Sequence, residues 1–155
     1  MSTRFDVDLI DTPTAPFATA AWVQVPTEHQ KTRRVLVWSV HLAPWDYGPY
    51  AALNGEDPAV INAQPEERQR QEQIAQILEL TAQLAEPEMP VIIAGDFNSP
   101  ATLDWTQRSD LPDYQWLPTD APLKAGFIDA FRAIYPDAAA CLLYTSPSPR
   151  DQRGS

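Results

Sequence analysis

The chain has 155 residues, 44% hydrophobic and 10% aromatic, with 11 basic against 21 acidic side chains and a net charge of −10. That is enough for one domain with a core of its own, and no apolar run approaches the ~18 residues of a membrane span. The acidic balance excludes loose electrostatic binding of nucleic acid, which needs a basic surface to displace counterions. It is compatible with a nucleic-acid enzyme, because a bound metal can carry the local positive charge.

The first strong pattern is a pair of β-branched and aromatic runs, FATAAWVQV (17–25) and RRVLVWSVHL (33–42), separated by a polar turn that contains His29. They predict an antiparallel hairpin with His29 on its surface. In the second run Val35, Val37, Ser39 and His41 share one face, and Leu36, Trp38, Val40 and Leu42 the other. Two largely apolar faces predict a strand covered on both sides. A Pro/Gly-rich stretch from Ala43 to about Val60 follows, read as a long loop, and its aromatics Trp45, Tyr47 and Tyr50 argue against disorder.

From Pro65 to Leu84 the pattern is helical, with Ile74, Ile77, Leu78, Thr81 and Leu84 on one stripe. Glu66, Glu67, Arg68, Arg70 and Glu72 load its first turns and read as solvated helix surface. Pro87 and Pro90 end it, and Val91 to Ala94 form the next strand. Ser99-Pro100 then reads as a cap and first residue of a short helix through Trp105. Pro122 to Ala125 read as a helical turn stopped by Gly126, and FIDAFRAIYP as a last short helix. Alternating strands and helices predict an α/β or α+β fold.

Two strand ends carry polar groups. Asp96 and Asn98 follow the buried run VIIAG, where an open α/β sheet presents its ligands, although Gly-Asp-Phe-Asn by itself describes a tight turn equally well. His41 ends the earlier strand, and alone would read as a core histidine. Hard oxygen donors such as those of Asp96 and Asn98 suit Mg²⁺ or Mn²⁺, and an imidazole can bond a phosphoryl oxygen or protonate a leaving group.

VWSVHLAPW, the intervening helix, PVIIAGDFNSP and GFIDAFRAIYP together resemble, in that order, the endonuclease/exonuclease/phosphatase superfamily, over about residues 17 to 137. The resemblance implies a four-layer sandwich of two mainly antiparallel sheets with helices outside, incomplete in this chain. It implies Mg²⁺- or Mn²⁺-dependent hydrolysis of a phosphate ester, whether nucleic acid, phospholipid or small phosphodiester. Carried onto this sequence, His41 contacts the scissile phosphate, Asp96 orients or deprotonates the attacking water, and Asn98 bonds the phosphoryl oxygen beside the metal. Asp96 and Asn98 are the implied metal-side residues, and Asp129 is a structural cap. Trp45, Tyr47 and Tyr50 could grip a lipid, a base or a sugar, or pack the loop against the sheet. GPYAALNG and SPATLDWT are similar to a bacterial, secreted-type subgroup.

The family's upstream metal-binding glutamate and its downstream Arg-x-Asp-Tyr and Ser-Asp-His segments have no counterpart here. Residues 1–140 are therefore expected to be a partial domain and, as such, inactive. The last fifteen residues, Cys141 to Ser155, begin with CLLYTSPSPRD. That string reads as the in-frame translation of a transposase-type sequencing adaptor, so the segment is expected to be a disordered artefact. Competing expectations are a phospholipid or sphingomyelin phosphodiesterase, and a non-enzymatic module binding divalent cations or a partner.

Overall fold

The computed structural model describes residues 5–27, 31–107 and 111–137. Four strands form one sheet in the order β1 (Val7–Ile10), β2 (Ala18–Pro26), β3 (Thr32–His41), β4 (Val91–Asp96). The first two pairings are antiparallel and β3–β4 is parallel. The expected hairpin is thus β2–β3, extended outward by β1, a short strand that the sequence pattern did not reveal. His29 and the segment 141–155 lie outside the described residues, so neither expectation about them meets a structural observation.

Between β3 and β4 run α1 (Gly48–Leu53), α2 (Pro58–Asn62) and α3 (Pro65–Leu84). α3 has the bounds its periodicity predicts. The stretch read as a long loop instead holds α1 and α2, each with a proline in its first turn, and Asp57 capping α2 through Ala59 N at 2.7 Å. Both are helices of five or six residues, too short for a periodic signal. After β4 come α4 (Thr102–Thr106), α5 (Leu117–Lys124) and α6 (Ala130–Ile134). Ser99 does not cap α4. Its N-cap position is Ala101, and Thr119 Oγ1 of α5 accepts from Thr102 N at 3.0 Å, so a distant hydroxyl takes the role expected of Ser99. Asp129 does cap α6, accepting from Arg132 N at 2.9 Å.

The core lies between the sheet and α3. Leu36, Trp38, Val40 and Leu42 are buried and cluster with Ile74, Ile77, Ala15 and Ala20, while Leu80, Leu84, Val91, Ile93 and Phe97 pack around them. Burying each large apolar side chain stabilises by roughly 1.5–3 kcal/mol, so this face carries most of the sheet's stability. The opposite face corrects the two-sided expectation for β3. Val35 is buried there, but Ser39 and His41 are exposed, as are Leu9 at 75% and Ile92 at 50%. Among the described residues, the structure is a mixed α/β fold with one four-stranded sheet. No helix among them is long and apolar enough to cross a membrane.

An apolar sheet face open to water favours self-association. The double substitution Leu9→Lys and Ile92→Lys is expected to lower the aggregate fraction seen by light scattering. Because both side chains are at least half exposed, the urea midpoint is expected to move by less than about 0.5 kcal/mol equivalent. Unchanged aggregation would mean that a different surface is responsible.

Candidate functional site

The end of the parallel pair β3–β4 builds the site. Successive strand residues alternate faces, and the register pairs His41 directly with Asp96. Both side chains therefore belong to the open face, where both are exposed. His41 N donates to Phe17 O at 2.9 Å, and Leu42 N to Asp96 O at 2.9 Å, so backbone hydrogen bonds hold the histidine between β2 and β4. A shallow depression of about 290 Å³ opens beside it, lined by Phe17, Thr19, Ser39 and His41 among others.

Gly95 lets the two strands approach this closely. Its φ is +136°, and a Cβ there would lie 2.7 Å from Val40 N and closer still to Val40 O. No side chain fits at that point of the ladder. The chain then turns. Asn98 has φ +47°, and its N–H donates to Asp96 Oδ1 at 2.9 Å, an Asx turn that leaves Asp96 Oδ2 free of that contact. Asn98 Nδ2 donates to Leu42 O at 3.0 Å, tying the loop after β4 to the end of β3. The Gly-Asp-Phe-Asn segment is thus both a turn and the frame that presents Asp96.

The three aromatic residues after β3 are placed unequally. Tyr47 and Tyr50 meet edge to face with ring centroids 5.5 Å apart. The Tyr47 phenol is held above its ordinary pKa by burial first, with Tyr50 and the Asp96 carboxylate adding to the shift and Arg70 opposing it. The segment that carries both tyrosines leaves β3 at Leu42, whose N–H donates to Asp96 O and whose carbonyl accepts from Asn98 Nδ2, so it starts at the edge of the His41–Asp96 pair. Trp45 is 75% exposed, so it does not pack the loop against the sheet.

Two residues assigned to solvated helix surface belong elsewhere. Glu67 and Arg70 are fully buried and form an ion pair at 2.7 Å. Arg70 Nη1 donates to Ala43 O and Trp45 O at 2.7 and 2.9 Å, and Nη2 to Asp46 O at 2.8 Å. Their signal was present in the sequence: positions 67 and 70 continue, at helical spacing, the stripe of Ile74, Ile77 and Thr81. Charged residues on an apolar stripe mark a buried pair rather than a wet surface.

Among the described residues, no group of three or more His, Cys, Asp or Glu converges as a metal cage. The donors at the site are nevertheless of the right kind for Mg²⁺, which is commonly held by one or two carboxylates with waters and substrate phosphate completing six oxygens.

The model of the Endonuclease/Exonuclease/phosphatase family matches residues 8–152. The Caenorhabditis elegans protein "Uncharacterized protein F14F9.5" is 37% identical over 112 residues, which is 66% of this chain and 36% of that relative. The chain therefore spans about a third of that relative's length. No solved structure matches.

Proposed function

Because this chain belongs to the endonuclease/exonuclease/phosphatase family, we propose that its site hydrolyses a phosphodiester by in-line attack of water on phosphorus, breaking the P–O ester bond opposite the incoming oxygen, with the leaving alkoxide taking a proton from solvent. The carrying observation is the register pairing of His41 with Asp96 on one open face. Asp96 Oδ1 accepts from Asn98 N, so Oδ2 is the atom that orients the water and takes its proton. His41 donates to a non-bridging phosphoryl oxygen. Asn98 uses one Nδ2 hydrogen on Leu42 O, and the other is available to a second phosphoryl oxygen. Asp96 and Asn98 would hold Mg²⁺ or Mn²⁺ through oxygen, and when bound the metal neutralises charge developing on the phosphoryl group. Trp45, Tyr47 and Tyr50 contact the part of the substrate beyond the phosphate.

The chain as given is proposed to be a partial domain, lacking the upstream glutamate and the downstream Ser-Asp-His segment. It is expected to give no measurable hydrolysis of DNA, bis-(p-nitrophenyl) phosphate or sphingomyelin with Mg²⁺. The full-length protein is expected to hydrolyse at least one of the three and to stop when EDTA is added. Turnover that survives EDTA, or none with any of the three substrates, would overturn the reading. Turnover by residues 1–155 alone would overturn the partial-domain assignment.

A further inference from the structure

We propose that Arg70, neutralised by Glu67, is a positioning residue: it fixes the 43–47 backbone, and with it Trp45 and Tyr47, where the loop leaves the end of β3, and so sets substrate affinity at the site. The consequence for affinity rests on the phosphodiester reading above; the clamp itself does not.

One guanidinium gathers three points of a single loop. Its two terminal nitrogens bond the carbonyls of Ala43, Trp45 and Asp46, between 24 and 27 residues away in sequence. Gln73, one helical turn further on, accepts from Ala43 N at 2.8 Å. The clamped loop starts two residues after His41 and contains Trp45 and Tyr47, so a short connection links it to the catalytic edge. Asp46 has φ +46°, a conformation that a residue with a side chain seldom adopts unaided, and its carbonyl is the one bonded by Arg70 Nη2. The clamp therefore bears directly on the residue that makes this turn. Beyond the loop, Gly48 lies against Glu67 and Trp116, where a Cβ would meet the Trp116 ring at 2.8 Å. The far end of the loop is thus seated on the same buried pair.

The chemistry selects arginine. A planar fork with five N–H donors can serve three carbonyls and a carboxylate at once, whereas an ammonium is a point donor. Arg70→Lys therefore keeps the charge opposite Glu67 and loses most of the clamp. Buried between Glu67 and the loop carbonyls, the pair has no solvent to substitute for a missing donor.

The test has two arms. Amide hydrogen exchange on the 155-residue chain compares the parent sequence with Arg70→Lys. Amides of residues 44–50 are expected to exchange at least about tenfold faster, with β3, β4 and the middle of α3 unchanged. In the full-length protein, Arg70→Lys is expected to raise KM for bis-(p-nitrophenyl) phosphate about tenfold with kcat altered less than about threefold. If Arg70→Lys does not fold, Glu67→Gln, which keeps the volume and one acceptor but removes the countercharge, is read by the same two measurements. Unchanged exchange at 44–50, or acceleration spread evenly over the chain, overturns the clamp. Local acceleration with an unchanged KM overturns its role in substrate affinity. A full-length parent sequence with no metal-dependent turnover overturns the phosphodiester reading instead, and the exchange arm still decides the clamp.

Discussion

Asp96→Ala and His41→Ala, each made in the full-length protein, are expected to lower kcat by about a hundredfold or more, equivalent to about 2.7 kcal/mol of transition-state stabilisation. The two losses have different origins. Asp96→Ala removes the acceptor that orients the water and also the Asx bond to Asn98 N, so the turn carrying Asn98 loosens as well. His41→Ala removes a donor from an exposed position, so its effect is expected with little loss of stability. Because both groups act on one phosphoryl centre, the double variant is expected to be less impaired than the product of the singles implies. Activity within about threefold of the parent for either variant, at equal folded fraction, would remove that residue from the mechanism.

Gly95→Ala is expected to be the most damaging single methyl addition at this edge, lowering the unfolding free energy by about 3–5 kcal/mol. Two terms add. A side chain at φ +136° is strained, at about 1–3 kcal/mol. The new Cβ would also collide with the Val40 backbone, so β3 and β4 must part and forfeit ladder bonds worth about 0.5–1.5 kcal/mol each. Gly55→Ala separates the terms: its φ is +80° and a Cβ there meets nothing within 4 Å, so only the strain term, about 1 kcal/mol, applies. Urea denaturation of both variants measures the difference. Equal costs would mean that the close approach at Val40 contributes nothing. In the full-length protein Gly95→Ala is also expected to abolish activity, since the strand pair it forces apart is the one that sets His41 beside Asp96.

Local chemistry was enough for much of this. The 3.6-residue spacing of Ile74, Ile77 and Thr81, with Pro65 at its start and Pro87 past its end, defines α3 because helix periodicity is a property of neighbours along the chain. The β-branched runs around the 26–32 turn define the β2–β3 hairpin for the same reason. His41 and Asp96 were legible as strand-end polar residues, and the apolar run before Gly95 marked β4 as a strand. The family resemblance then supplied roles that no periodicity contains.

Tertiary structure decided the rest. Alternation along β3 divides its residues between two faces, but which face receives α3 depends on where that helix lands, so Leu36, Trp38, Val40 and Leu42 are covered while Ser39 and His41 stay open. The direct pairing of His41 with Asp96 is a matter of register between strands 50 residues apart in the chain, and one residue of slip would put them on opposite faces. Glu67 and Arg70 show the limit most clearly. A buried ion pair depends on further hydrogen bonds, and three of the four acceptors on the terminal nitrogens of Arg70 are backbone carbonyls of a distant loop, while Arg70 Nε and Glu67 Oε2 are left without a partner among the described residues. Carbonyls are common to every residue, so they leave no mark in a sequence. Their convergence on one guanidinium exists only once α3 has packed beneath the end of β3.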